Sequence, residues 1–74
     1  MPNTIWIKSV EQLHELLARY DIVASQVGFE GDDIVFWTTS LISEKFKEDF
    51  TVDGIEADGE RTKVAIYPKT KLTA

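Results

Sequence analysis

No cysteine occurs anywhere in this 74-residue chain, and that absence limits its fold more than any motif does. A domain so short buries only about 60% of the surface its unfolded form exposes. With no disulfide framework or thiolate metal site available, ordinary packing must hold it together. The apolar residues, 43% of the chain with 11% aromatic, are enough for one core and leave no room for a second. A single domain over residues 1–68 is expected, with 69–74 as a flexible basic tail. Lack of cysteine also suits a reducing cytosol.

Periodicity supplies the elements. "TIWIK" (4–8) is β-branched and aromatic, as strands are. Ser9 and Gln12 then make a Ser-x-x-Gln capping box, and Val10, Leu13, Leu16, Leu17 and Tyr20 recur at helical spacing. A helix over about 10–20 follows. Residues 21–29 and 33–40 read as strands joined by "EGDD", a glycine-containing hairpin loop. The second is apolar on both faces, with Ile34 and Phe36 alternating against Val35 and Trp37, as in an interior strand. Ser40 is positioned to cap a second helix over roughly 41–50, whose buried stripe is Ile42, Phe46 and Phe50.

Two further strands flank Asp58-Gly59, a dipeptide suited to a type I′ turn. Val52 and Ile55 are out of phase by one residue, which a bulge at Asp53-Gly54 would correct. Pro68 is expected to end the last strand, since it cannot donate to a ladder. The order β-α-β-β-α-β-β predicts a small two-layer α+β sandwich, with both helices on one face of a mostly antiparallel sheet. Its first six elements allow a ferredoxin-like order, and a less regular α+β sheet is the other arrangement open to it.

Charge is unevenly spread. Residues 30–60 hold ten acids against Lys45 and Lys47, whereas 61–74 hold Arg61, Lys63, Lys69 and Lys71 and no acid. The overall charge of −5 and this acidic middle argue against gripping a phosphate backbone, which is bound mainly by Lys and Arg. No direct nucleic-acid binding is expected. No stretch approaches the roughly 18 apolar residues of a membrane span, and "MPNTIWIKS" lacks the basic and apolar regions of a signal peptide. No membrane association is expected, and the chain reads as cytoplasmic.

Candidate sites are few. Gly31-Asp32-Asp33 matches a triplet with which template-copying polymerases hold paired metal ions. That chemistry also needs a palm and a primer channel, so the triplet reads as a turn. "DGIEADGE" (53–60) fails as a calcium loop, because placing Gly59 sixth puts Gly54 first and Ala65 twelfth. His14, the one histidine, reads as lying at the edge of the first helix's apolar stripe, with no spaced partner for zinc or for general-base work. No catalytic set and no cofactor are therefore expected.

The aromatics and acids offer more. Trp6 alternates against Ile5 and Ile7, and Trp37 against Phe36, so one face cannot bury them all. Each tryptophan is either core or part of an exposed anchor, the kind enriched at interface hot spots. The leading expectation is a non-enzymatic protein-binding module, an inhibitor or regulator of a larger protein with a basic surface, of the kind phages and mobile elements encode. Glu30, Asp32, Asp33, Asp53, Glu56, Asp58 and Glu60 would meet that surface, with Trp6 and Trp37 as anchors. In its sharpest form the acids imitate a phosphate track and occupy a nucleic-acid channel. The alternative is a small ligand-binding or regulatory homodimer paired through an open sheet edge or face.

Overall fold

In the computed structural model, which describes the backbone of residues 2–73 and the side chains of 4–71, seven elements follow in the expected order. They are β1 (Pro2–Trp6), α1 (Val10–Ala18), β2 (Ala24–Glu30), β3 (Asp33–Thr38), α2 (Glu44–Asp49), β4 (Phe50–Asp58) and β5 (Arg61–Thr73). Every ladder is antiparallel, and β5 lies at the centre. Along one edge β5 pairs first with β3, over Thr62–Ile66, and then with β1, over Lys69–Thr73. Its other edge carries β4, and β2 extends the sheet beyond β3. The split βαβ order would set β1 beside β3, whereas β1 pairs with β5 instead, so the sheet is the less regular of the two arrangements. Both helices cover one face, where Leu13, Leu16, Leu17 and Phe46 join Ile34, Phe36, Val64 and Ile66 in a single core.

The strand end expected at Pro68 is not there. β5 continues to Thr73, so residues 69–73 are sheet rather than tail, and Ala74 lies outside the described residues. The proline fits because no ladder needs its missing N–H. On one edge, pairing to β3 stops at Ile66 and pairing to β1 starts at Lys69. On the other, β4 passes from Thr51↔Tyr67 to Phe50↔Thr70, leaving Pro68 and Lys69 in a bulge. The Pro68 carbonyl still accepts from Ile7 N at 3.0 Å. Proline in a strand is confined to such positions.

Local capping follows the sequence at α1 and departs from it at α2. Ser9 Oγ accepts from Gln12 N at 3.1 Å, while Gln12 Oε1 accepts from Lys8 N at 2.7 Å and its Nε2 donates to the Trp6 carbonyl at 3.0 Å. The side chain that should complete a capping box thus ties β1 to α1. At the second helix the cap is Ser43, whose Oγ accepts from Phe46 N, and α2 is only six residues long. Ser40 is engaged elsewhere, accepting from Val23 N. Buried Thr38 sits between these segments, donating to the Val23 carbonyl at 2.8 Å and accepting from Ser40 N at 2.9 Å.

Both hairpins turn on a glycine with positive φ at the first loop position, +60° at Gly31 and +66° at Gly59. The flanking pairs are Glu30↔Asp33 and Asp58↔Arg61, so the second loop is Gly59-Glu60 rather than Asp58-Gly59. Positive φ at the first loop position alone makes both turns type II′, not type I′. The expected bulge in β4 is present, with Asp53 unpaired between Val52↔Ile66 and Gly54↔Ala65. It turns Val52 and Ile55 to the core face, although Ile55, near the hairpin end, stays 43% exposed.

Tyr20 closes the aromatic end of the core. Its ring stands edge-on to Phe46 and Phe50, which are themselves stacked at 4.4 Å. Its hydroxyl donates to Asp49, whose carbonyl accepts from buried Thr70 Oγ1 at 2.6 Å. Burial, and then the bond to the Asp49 carboxylate, push the Tyr20 phenol up to about 12. Its stabilising contribution is therefore full below 10.0 and is lost as pH rises towards about 12. Tyr20→Phe should cost about 1–2 kcal/mol in denaturant unfolding at neutral pH. The gap from the parent should close through that alkaline window; a gap unchanged with pH would contradict the bond.

Candidate functional site

Alternation along β5 divides its residues between the two faces of the sheet. Val64, Ile66 and Thr70 point into the core and are buried. Arg61, Lys63, Ala65, Tyr67, Lys69 and Lys71 occupy the opposite face, which no helix covers. Cross-strand pairing brings Trp37 beside Lys63, Val35 beside Ala65 and Trp6 beside Lys69. Both tryptophans therefore stand on the open face rather than in the core. Trp6 is 47% exposed, edge-on to Tyr67 at 5.6 Å and with Lys69 Nζ 5.8 Å from its ring centre. Trp37 is half-buried beneath the Arg61 guanidinium, 4.6 Å away, which also donates to Gln26 at 3.5 Å. Such stacking of cation on ring contributes about 0.5–1 kcal/mol at exposed sites.

The acids expected to form one surface fall into two groups. Glu30, Asp32 and Asp33 lie at the β2–β3 turn, and Asp53, on the β4 bulge, reaches the same place. A hydrogen bond between the Asp33 and Asp53 carboxyls, then desolvation, then the charges of Asp53, Asp32 and Glu30 hold Asp33 above its ordinary 3.8. Glu30 also pairs with Lys63 at 3.9 Å, and Glu56 is the cross-strand neighbour of that lysine. Asp58 and Glu60 stand apart at the β4–β5 turn. The five residue steps from Arg61, opposite Asp58, to Ile66, opposite Ile34, span about 17 Å. No continuous acidic track joins the two groups.

At the far end of the face the sequence reading found Trp6 but not Tyr67, Lys69 or Lys71. Around Trp6 and Tyr67, the neighbours of Lys69 and Lys71 on the open face are Thr4 and Thr51, so neither lysine meets an acid there. Neither makes an ion pair among the described residues. Thr4, Thr51, Tyr67, Lys69 and Lys71 line a shallow cavity of about 340 Å³, with Glu48 and Asp49 at its α2 rim. Asp49 is already engaged by Lys45 at 3.4 Å and by Tyr20. The signal was present, because the two-residue alternation of β5 runs unbroken through Pro68.

His14 is exposed on α1 rather than set at the edge of the core. Among the described residues no group of three or more His, Asp or Glu side chains is arranged to hold a metal ion, and no helix is long and apolar enough to cross a membrane. Comparison with family models, with curated proteins and with solved structures finds no match to this chain.

Crowded acids at the β2–β3 turn carry a cost. Asp33, with its folded value raised, stabilises the fold while protonated and loses that contribution as pH rises through the folded value. Asp33→Asn should therefore raise Tm at neutral pH, and the difference should vanish below 3.8, where the parent carboxyl is protonated in both states. An unchanged Tm at neutral pH would show that Asp33 does not feel its acidic neighbours.

Proposed function

We propose that this chain is a non-enzymatic protein-binding module, an inhibitor or regulator that docks a larger protein through the open face of its sheet. The observation that supports it best is the content of that face. A sheet covered by helices on one side carries two tryptophans and a tyrosine on the other, among charges of both signs. Aromatic residues and arginine are the groups that dominate interface energetics, and an exposed set of them beside charged neighbours suits an anchor with a polar rim.

Charge chooses the partner for the acidic end. At Glu30, Asp32, Asp33 and Asp53 the carboxyls are close enough to force Asp33 to hold its proton more tightly. An incoming Lys or Arg would relieve that repulsion and donate to several carboxylates at once. A basic surface on the partner is therefore favoured there, with its approach accelerated at low salt. Imitation of a long phosphate track is the less supported form of the proposal, because Asp58 and Glu60 lie at the other end of the sheet.

The test is capture from nuclease-treated host lysate by the tagged chain, run beside the D32K/D33K and W37A variants. The expected result is one stoichiometric partner, released by high salt and lost by both variants. A captured protein that both variants retain equally, or recovery of the bait alone, would overturn docking through this face.

A further inference from the structure

Charge on the open face is balanced over half its length and unbalanced over the rest. Arg61 lies opposite Asp58, and Lys63 sits between Glu56 and Glu30. That half presents cations that are already answered. Beyond Tyr67 the same strand offers Lys69 and Lys71, which make no ion pair among the described residues; Thr4, Trp6 and Thr51 are their neighbours on that face, and Glu48 and Asp49 stand at the α2 rim of the cavity they line. These two cations thus stand beside the exposed aromatic pair Trp6 and Tyr67, and with Tyr67 they line the shallow cavity of about 340 Å³.

We infer that this end of the face receives an acidic segment of the protein partner, a carboxylate carried beside an apolar or aromatic side chain. The inference rests on the protein-binding reading and adds an orientation to it. The carboxylate would accept from Lys69 or Lys71, and the apolar group would lie on the Trp6 ring, whose exposed area is what burial there would remove from water. The partner's interface is consequently bipolar, basic where it meets Glu30, Asp32, Asp33 and Asp53, and acidic where it meets Lys69 and Lys71.

A single-stranded nucleic acid would also use cations and stacking rings. It is disfavoured by the rest of the same surface, since a strand running on along β5 would meet Asp33, Asp53, Glu56 and Glu30 within the next few residues. A protein segment can change the sign of its charge along its length and a phosphate backbone cannot. The mixed face therefore selects a polypeptide.

The direct experiment selects random linear displayed peptides on the intact chain and titrates the enriched ones through tryptophan fluorescence. Acidic peptides containing an aromatic or large aliphatic residue should dominate. Their affinity should fall about tenfold or more in K69E/K71E and in W6A, as for an interface anchor. The milder K69Q/K71Q variant should give a smaller loss in the same direction, which separates lost charge from lost folding. Enrichment of basic peptides sensitive to D32K/D33K alone would overturn the inference while leaving the protein-binding reading intact. Tighter binding of a single-stranded oligothymidylate than of any selected peptide would overturn it in favour of nucleic acid. No enrichment above that on an unrelated protein would overturn it as well.

Discussion

Everything in this small fold depends on β5 passing through Pro68 without a break. That strand pairs with β4 on one edge and with β3 and then β1 on the other, so it is the one element that touches most of the sheet. If it stopped at Pro68, β1 would have no partner strand, since all its ladder pairs are to residues 69–73. Thr70, buried and bonded to the Asp49 carbonyl, would leave the junction between α2 and β4 open. The proline is accommodated because it falls where one neighbour has ended, the next has not begun, and the opposite edge is bulged. A chain without cysteine builds its continuity from that coincidence of register.

The same continuity makes the open face. A strand keeps side chains on alternate sides only while it remains a strand, so Arg61, Lys63, Tyr67, Lys69 and Lys71 share a face only because the pleat survives residue 68. What had looked like a basic tail becomes a row of cations beside two tryptophans. Acids from the β2–β3 turn and from β4 neutralise the first part of that row, and among the described residues none pairs with the second. As a docking surface, with aromatic rings and two signs of charge in fixed places, the face would give specificity through arrangement rather than through net charge.

Much of this was legible in the residues, and the exceptions have physical reasons. Ser9, Gln12 and the Leu13-Leu16-Leu17 spacing marked α1, because capping and helical period are local. The doubly apolar β3 and the bulge at Asp53 were legible for the same reason, since each shows as a break or excess in a two-residue pattern. The choice of Ser43 over Ser40 as a cap was not, because Ser40 is committed to Val23, seventeen residues away in sequence. The turn at Gly59-Glu60 was displaced by one residue, as happens when glycine fits either loop position. Pro68 misled most. Its strand-ending tendency is real for an interior ladder, and only the partners of β5 show that no ladder bond is lost. At the site, the tryptophans were named from alternation, whereas Tyr67, Lys69 and Lys71 were hidden by that one misplaced strand end.

The central claim is therefore continuity of β5, and amide hydrogen exchange with cross-strand nuclear Overhauser contacts tests it most directly. Protected amides in residues 69–72, together with contacts between Ile5 and Thr70 and between Trp6 and Lys69, are the predicted result. Rapid exchange and random-coil shifts from Lys69 onward, with none of those contacts, would contradict the account and dissolve the open face with it.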